Sequence, residues 1–347
     1  MTEPVYRGAI VGLGYIGGAD QVSGDALGQL VQDLDGTHFY AMRNHPRIEL
    51  VAGSSRDAGR RERFTERSSV PTYACWQEML EREQLDIVSV ATYTPQHAEI
   101  ATACAERGVR AIFCEKPIAS TVADAERMLT ACKRSGSLLA VNHNRRFDLN
   151  FRRLRDLIAQ GELGDLTSAS VQWGSGRLGN VGTHMFNALC MLSGRKVDAV
   201  SATLDFAGRP DCRGSEFNDP GGWGVFRLEG GLMCVFDASD YGVIPGAIAL
   251  NGTKGRAITG AGDVSLEFWD GNKVYWPRLS DQGSSMDRTM VEIVTWLDGE
   301  NDFPDSPENS LHTLEIIAGC HVSHRHHAAW TLLPLQGEDR EIVVGSG

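Results

Sequence analysis

Three glycines near the start of the chain have the spacing of a diphosphate-binding turn. The apolar residues 9–11 lead directly into Gly12-x-Gly14-x-x-Gly17, as a buried strand would enter a tight turn and then a helix. Gly12 would permit the turn, Gly14 would let a pyrophosphate approach the backbone, and Gly17 would let the helix pack closely on the strand. The N–H groups and dipole at the helix N-terminus would attract the phosphates. A purely structural turn in another α/β protein is the alternative that the glycines alone leave open.

Lys116 is the residue best suited to exchange a proton with a substrate. It follows the apolar run 109–114 and Glu115, and Pro117 comes next, so its ammonium would lie at the carboxyl end of a strand, beside a bound nicotinamide. Interconverting a secondary alcohol and a ketone needs a hydride carrier and a group that exchanges the hydroxyl proton. A lysine ammonium can polarise the carbonyl and, when desolvated, titrates nearer neutrality. A surface lysine paired with Glu115 is the alternative.

The end of the second predicted strand bears on the choice of cofactor. Folds that bind NAD place an acidic residue on the ribose diol at this point, whereas this chain has Ser54, Ser55 and Arg56, with Asp57 following. A carboxylate would repel a 2′-phosphate, while hydroxyls and a guanidinium can bind it. We therefore expect NADP(H) to be favoured over NAD(H), and Asp57 could instead cap the next helix.

Apolar runs that alternate with amphipathic segments must position these residues. Strands are predicted near residues 6–11, 48–53, 86–91, 109–114 and 138–142, with helices between them. This is typical of a parallel, doubly wound sheet whose ligand lies at the carboxyl ends of the strands. From residue 151 onward, short apolar runs divided by glycine-rich turns predict a mostly antiparallel open sheet, followed by helices near residues 285–297 and 308–324. We expect an α/β fold with a Rossmann dinucleotide-binding domain (residues 1–145) and an α+β substrate domain (residues 146–347).

Residues 18–37 interrupt the first predicted helix. They are acidic and punctuated by glycines, and an amphipathic helix resumes only near residue 38. We interpret them as an insertion that would lie beside the nicotinamide end of the cofactor. It could form part of a lid over the substrate, or it could be a surface loop without a role.

Composition excludes several classes of partner. The net charge of −12 argues against nucleic acid and against an anionic membrane surface, and the sequence contains no apolar run of membrane-spanning length. We expect a cytoplasmic protein with free thiols, because the eight cysteines form no Cys-x-x-Cys pair and no secretory signal precedes the first strand. A cysteine and several histidines between residues 320 and 327 fall at the end of a predicted helix, where histidines complement the helix dipole. We expect no metal site there.

Four motifs occur in order at the predicted strand ends: the glycine turn, Thr94-Pro95 with His97, Glu115-Lys116-Pro117, and residues 144–147. Together with Gly182-Thr-His184 on a later helix, they resemble the Gfo/Idh/MocA family of NAD(P)-dependent sugar and cyclitol dehydrogenases. The resemblance covers almost the whole chain. It implies a Rossmann domain, a substrate domain that also serves oligomerisation, a sugar-like substrate, and a homodimer or homotetramer assembled through the open sheet.

The resemblance makes His184 the second catalytic candidate, with a difference from the family pattern. The family often has Asp-x-x-x-His here, with the carboxylate on the substrate and the histidine as proton relay, whereas this chain has Asn180. Asparagine can bind a hydroxyl but cannot accept a proton, which leaves Lys116 as the better proton donor or acceptor. Asn187 also stands where the family often has Asp, and a buried structural histidine remains the alternative for His184.

Two further groups of residues leave alternatives open. Arg145 and Arg146 could bind an anionic group of the substrate or pair with acids at the domain junction. The aromatic rings at positions 173, 223 and 241 could stack on a sugar or belong to the core.

The sequence therefore predicts an NADP(H)-preferring oxidoreductase that acts on a secondary hydroxyl or ketone of a sugar, a cyclitol or a sugar derivative. Lys116 and His184 would be catalytic, and Asn180, Arg146 and Asn187 would bind substrate. A non-catalytic dinucleotide-binding regulator of the same fold, or a glycosidase that oxidises C3 transiently, are the alternatives. The residues expected to line the cofactor are Gly12, Gly14, Tyr15, Ile16, Gly17, Ser54, Ser55, Arg56, Thr94, His97, Glu115 and Lys116.

Overall fold

Six parallel strands form the sheet that carries the glycine turn. The computed structural model describes residues 3–24, 30–207, 217–240, 245–279 and 282–346. The strands are β1 (Tyr6–Val11), β2 (Ile48–Ser54), β3 (Thr72–Tyr73), β4 (Ile87–Val90), β5 (Ala111–Cys114) and β6 (Leu138–Val141). Their order, β3-β2-β1-β4-β5-β6, reverses direction between β1 and β4, where doubly wound sheets form their ligand crevice. The predicted Rossmann-type sheet is confirmed.

Helices connect these strands along the chain. They are α1 (Tyr15–Gly18), α2 (His38–Asn44), α3 (Ala58–Ser68), α4 (Trp76–Arg82), α5 (His97–Glu106) and α6 (Val122–Ser135). Asp57 accepts a hydrogen bond from the backbone N–H of Arg60 at 2.7 Å, so it caps α3, as its position allowed. Thr121 caps α6 in the same way, and Gly136 ends it in the left-handed conformation.

The helix after the glycine turn is only one turn long, as the interrupted pattern predicted. Helical backbone stops after Gly18 and resumes in α2. The fully buried carboxylate of Asp20 accepts hydrogen bonds from Arg63 at 2.9 and 2.6 Å, and Arg67 lies 3.8 Å away. These contacts connect the start of the insertion to α3. Residues 25–29 of the insertion lie outside the described residues.

Nine strands form the second sheet, in the order β14-β13-β12-β11-β7-β10-β9-β8-β15. They are β7 (Leu166–Gln172), β8 (Val197–Asp205), β9 (Gly221–Leu228), β10 (Leu232–Ala238), β11 (Ala247–Gly252), β12 (Gly255–Thr259), β13 (Val264–Phe268), β14 (Lys273–Trp276) and β15 (Thr331–Leu332). Neighbours pair antiparallel except β10 with β7, so the predicted architecture is confirmed. Strands β12 and β14 were not predicted: β12 begins with Gly255 and Arg256, and β14 has only a short apolar run after Lys273.

The α-helices described after β6 are α7 (Leu149–Ala159), α8 (Thr183–Ser193), α9 (Ser285–Leu297) and α10 (Pro307–Arg325). Helix α9 does not stay with the second sheet. Its Met290 and Ile293 are fully buried in a cluster that contains Ile10 and Phe113 of the first sheet. The two sheets therefore lie on either side of residue 145 in the sequence, but α9, from the second part of the chain, packs against the first sheet.

Candidate active site

A cleft of about 950 Å³ follows the carboxyl ends of the first sheet and reaches the turn that precedes α8. This is near the upper limit, roughly 1,000 Å³, of ordinary ligand pockets. The cleft brings together residues from both sheets, as ligand sites between domains commonly do. Among the residues predicted from the sequence, its lining includes Gly12, Gly14, Tyr15, Ile16, Ser54, Ser55, Arg56, Thr94, Glu115, Lys116, Asn180 and His184.

The glycine turn has the geometry that its motif predicted. Gly12 has φ +98°, and a Cβ there would lie 2.3 Å from the carbonyl oxygen of Ala91. At Gly17 a Cβ would lie 1.9 Å from the carbonyl oxygen of Gly12. Gly17 thus serves the packing of helix on strand and does not itself line the cleft. Because α1 has only four residues, any phosphate held here would meet backbone N–H groups more than the summed dipole of a long helix.

The end of β2 presents hydroxyls and guanidinium groups to the cleft. Ser55 is half-buried and Arg56 is exposed, and both line it. Arg60, one turn into α3, lines it as well. The carboxylate of Asp57 is engaged by the first turn of α3, and the N–H group of Arg60 lowers its pKa. This end of the cleft therefore carries the guanidinium groups of Arg56 and Arg60 together with the ionised carboxylate of Asp57.

A buried polar network supports the loop that carries Lys116. Glu115 accepts a hydrogen bond from Asn142 at 2.6 Å, and His38 lies 3.1 Å from the same carboxylate oxygen. The other ring nitrogen of His38 lies 2.9 Å from the hydroxyl of Ser89. Burial would raise the pKa of Glu115, but His38, the Lys116 charge and Asn142 outweigh it and lower the pKa to about 2. The carboxylate is therefore a permanent negative charge beside Lys116.

Lys116 and Asn180 join the two domains inside the cleft. The ammonium of Lys116 donates to the side-chain oxygen of Asn180 at 2.6 Å and to its backbone carbonyl at 3.0 Å. Asn180 lies in a π-helical turn, Leu178–Gly182, that runs directly into α8. Single π turns inside helices recur at functional sites, because they redirect side chains and leave backbone groups for other partners.

His184 follows on α8 and lines the same part of the cleft. Its ring centroid lies 6.1 Å from that of His143, in an edge-to-face arrangement. Burial lowers the pKa of both histidines well below the ordinary range, and the positive charge of Lys116 adds to the effect. Both rings are therefore neutral near pH 7. The Nδ1 atom of His184 and both nitrogens of His143 are buried without a protein partner among the described residues.

Four of the predicted site residues lie outside the cleft lining: Gly17, His97, Arg146 and Asn187. Both ring nitrogens of His97 lie within 2.9 Å of backbone carbonyls, those of Thr92 and Pro117, and the residue is 1% exposed. It connects two loops rather than facing a cofactor, which corrects the expectation. The guanidinium of Arg146 donates a hydrogen bond to the side-chain oxygen of Asn187 at 2.6 Å.

Arg146 forms an ion pair with Asp305 at 2.9 Å, which is the alternative in which this arginine pairs with an acid at the domain junction. Among the aromatic candidates, Trp173 is 2% exposed and belongs to the core, whereas Trp223 lies on the open face of the second sheet at 47% exposure. The third ring, at position 241, lies outside the described residues.

Several cleft residues were not predicted. Arg177 lines the wall with a left-handed backbone, φ 57° and ψ 74°, a conformation that non-glycine residues adopt mainly where the surroundings impose it. Asn144 and Asp35 line the cleft on the opposite side, and Asp35 accepts a hydrogen bond from the backbone N–H of Ser285 at 2.9 Å. The end of the insertion therefore borders the cleft. Asn144 belongs to the motif at residues 144–147 and Asp35 to the insertion, but no local pattern assigned either side chain, or Arg177, to the cleft.

The described part of the chain contains neither a metal-binding cluster nor a membrane-spanning helix. No group of three or more His, Cys, Asp or Glu side chains there is arranged to hold a metal ion. Within the same residues, every helix is too short or too polar to cross a membrane.

The fold and the cleft are those of a two-domain dinucleotide-binding protein. Residues 6–143 match the oxidoreductase family with an NAD-binding Rossmann fold, and residues 151–258 match the GFO/IDH/MocA C-terminal domain. The chain belongs to the Gfo/Idh/MocA family.

Named relatives are dehydrogenases. Trans-1,2-dihydrobenzene-1,2-diol dehydrogenase of Mus musculus is 26% identical over 60% of this chain and 66% of its own length. D-apiose dehydrogenase of Paraburkholderia graminis is 30% identical over 47% of this chain and 39% of its own length. Myo-inositol 2-dehydrogenase of Thermotoga maritima is 37% identical over 25% of this chain and 26% of its own length. The chain thus spans from about a quarter to two thirds of these relatives.

Solved structures share the whole architecture. The WlbA dehydrogenase of Bordetella pertussis, in complex with NADH and UDP-GlcNAcA, has a TM-score of 0.79 at 20% identity and covers 97% of this chain and 100% of that one. An inositol dehydrogenase homolog from Azotobacter vinelandii, complexed with NADH and myo-inositol, has a TM-score of 0.76 at 18% identity, with coverage of 95% and 98%. At these identities the likeness shows the common fold.

Proposed function

We propose that this chain is an NADP(H)-preferring oxidoreductase that transfers a hydride between the nicotinamide and a secondary hydroxyl or ketone of a sugar, a cyclitol or a sugar derivative. The observation that carries the proposal is the ammonium of Lys116, held by Asn180 inside the cleft that begins at the glycine turn. The named relatives act on a dihydrodiol, an inositol and a branched sugar, and each of these compounds carries hydroxyl groups on neighbouring carbons.

The residues of the turn fit a dinucleotide. At Gly12 and Gly17 a Cβ would clash with a backbone carbonyl oxygen, so only glycine fits. Gly14 lines the cleft just before α1. A diphosphate could therefore approach the N–H groups of this turn. When bound, the nicotinamide would supply or accept the hydride.

Lys116 would handle the proton. In the reducing direction its ammonium would polarise the ketone and donate the proton that completes the hydroxyl, and in the oxidising direction the neutral amine would accept it. The two oxygens of Asn180 fix the position of Nζ. His184, kept neutral by burial, would bind a substrate hydroxyl and would add no charge to the site.

The test is Lys116→Met, which removes the proton carrier and keeps an unbranched side chain only one atom shorter. With myo-inositol, D-apiose and trans-1,2-dihydrobenzene-1,2-diol as probes, turnover of the active substrate should fall by roughly 10²–10⁴-fold. The dissociation constant of NADPH, read from its fluorescence, should change less than about threefold. Lys133→Met, at an exposed lysine, is the matched control. A Lys116→Met enzyme with turnover close to that of the unsubstituted chain would refute the assignment.

A non-catalytic dinucleotide-binding regulator is the second candidate, and the neutral Asn180 favours it because an amide cannot relay a proton. Tight NADPH binding without turnover of any sugar, cyclitol or ketone probe would support this alternative. Release of an aglycone from a glycoside probe without net consumption of NADPH would indicate a glycosidase.

The preference for NADP(H) rests on Ser55 and Arg56 at the cleft wall. A hydrogen bond to a charged group contributes about 1.5–3 kcal/mol, so Arg56→Ala should weaken NADPH binding roughly 10-fold or more. Its effect on NADH should be small, because NADH has no 2′-phosphate. Arg82→Ala, at an exposed arginine, is the control. Equal losses for both cofactors would contradict the assignment.

We further propose that the open face of the second sheet joins copies of the chain. Trp223, Val235, Ile258 and Tyr275 are 37–62% exposed there. Strand register places Val235, Ile258 and Tyr275 in one row across the sheet. Exposed apolar rows of this kind mark interaction surfaces. Val235→Asp should yield monomers in light scattering, whereas Val291→Asp, at an equally exposed valine on α9, should not. An unchanged mass for Val235→Asp would rule out this face.

A further inference from the structure

The segment between β8 and β9 holds the turn that carries Asn180. One carboxylate oxygen of Asp219 accepts the backbone N–H of Gly179 at 2.7 Å, and the other accepts that of Asn180 at 2.8 Å. The carbonyl of Pro220 accepts the N–H of Leu178 at 2.9 Å. Three successive N–H groups at the start of the π turn, which have no partner within a helix, are thus bound by two neighbouring residues.

This arrangement fixes the orientation of Asn180 toward Lys116. The N–H group of Asn180 is held by Asp219 on one side, while its carbonyl and its side-chain oxygen both accept from the Lys116 ammonium on the other. Asn180 therefore links Asp219 to Lys116 through hydrogen bonds on both sides. Both oxygens of Asp219 act as acceptors, which is the pattern of an ionised carboxylate.

The charges around Lys116 make Asp219 an electrostatic partner as well. Glu115 precedes Lys116, His143 follows β6, His184 lies on α8, and Arg177 begins the π turn. Burial raises the pKa of Asp219, while the two N–H groups and the positive charges of Lys116 and Arg177 oppose that rise. Because both histidines are neutral, Glu115 and Asp219 are the negative groups in this set.

We propose that Asp219 is a positioning residue for the proton-handling lysine: it holds the π turn so that Asn180 grips the Lys116 ammonium, and its carboxylate stabilises the charged form of that ammonium. The proposal rests on the proposed function for its consequence in catalysis, but the electrostatic link does not depend on turnover. Removing the carboxylate should favour the neutral amine. The oxidation rate should then reach its plateau at lower pH.

The experiment measures the amine directly. Lys116 is labelled with acetic anhydride over a pH series, its extent of labelling is read by peptide mass spectrometry, and Lys133 serves as the internal reference. In Asp219→Asn the midpoint of Lys116 labelling should move to lower pH by at least about half a unit, since opposite charges at close range shift such equilibria by about a unit or more. Asp219→Glu should restore at least part of the shift, and Asp198→Asn, a surface aspartate of β8, should cause none.

Turnover separates this inference from the proposed function. If no probe is turned over but the midpoint moves, the function fails and the inference stands. If the enzyme is active and Asp219→Asn leaves both the midpoint and the pH dependence of kcat unchanged, the inference is overturned. If Asp219→Asn does not fold, Asp219→Ser is the second neutral variant, because serine leaves room for a water between the two N–H groups. An unchanged midpoint of Lys116 labelling in Asp219→Ser would also overturn the inference.

Discussion

Replacing His321 by leucine should make the protein less sensitive to acid. His321 lies on α10, is 7% exposed, and its Nε2 atom is buried without a protein partner among the described residues. Burial, reinforced by the charges of Arg325 and His324, lowers its pKa to about 4. An unfolded histidine titrates near 6.5. Between these values the unfolded chain binds more protons than the folded one, so this histidine removes stability as the pH falls.

The magnitude follows from the two pKa values. At about pH 5, His321 opposes folding by about 2 kcal/mol, and at about pH 8 its contribution is close to zero. Lowering the pH from about 8 to about 5 should therefore reduce the free energy of unfolding of His321→Leu by about 2 kcal/mol less than that of the unsubstituted chain. This difference corresponds to roughly 30-fold in the unfolding equilibrium constant.

Urea unfolding followed by tryptophan fluorescence at the two pH values measures this difference. His326→Leu is the matched control, because His326 is exposed just beyond the same helix, and it should lose as much stability on acidification as the unsubstituted chain. A His321→Leu protein that loses the same amount as that control would refute the argument from burial. The comparison is insensitive to the other buried histidines, which are present in all three proteins.

Three substitutions test the scaffold of the cleft. Gly17→Ala places a methyl group 1.9 Å from the carbonyl oxygen of Gly12 and should abolish the rise in Tm that NADPH causes. Gly24→Ala, which has open space around it, is the control and should keep that rise. Equal behaviour of the two variants would contradict the packing argument. Asp20→Asn weakens the ion pair between the buried Asp20 and the partly exposed Arg63 of α3 and should lower the free energy of unfolding, measured in urea, by about 1.5–3 kcal/mol. A loss below about 0.5 kcal/mol would speak against this contribution. Ser284→Ala removes the cap of α9 and should lower it by about 1 kcal/mol, and no change in the same titration would count against the cap.

The cleft residues that the sequence identified in the first domain share one property: each lies at or just beyond the end of a strand of the first sheet. The glycine turn follows β1, Ser55 and Arg56 follow β2, and Lys116 follows β5. Because the carboxyl ends of parallel strands meet at one edge, a local pattern was enough to bring them together.

The residues that the sequence missed or misplaced depend on contacts between distant segments. Asp219 lies about 40 positions from the turn it holds, in a segment with no periodic pattern. Arg146 and Asn187 looked available for a substrate because nothing local revealed that they bind each other. The parallel pairing of β10 with β7 is likewise a property of the completed sheet, since strand patterns do not specify direction.

The position of α9 has a consequence for how the chain is made. The face of the first sheet that contains Ile10 and Phe113 is covered by Met290 and Ile293, which the ribosome adds well after β6 (Leu138–Val141), the last strand of that sheet. At roughly 5–20 residues per second, the nucleotide-binding half would wait several seconds or longer with an apolar surface bare. We therefore expect the nascent chain to gain its affinity for the cofactor only once residues 285–297 have emerged, and to need shielding from aggregation until then.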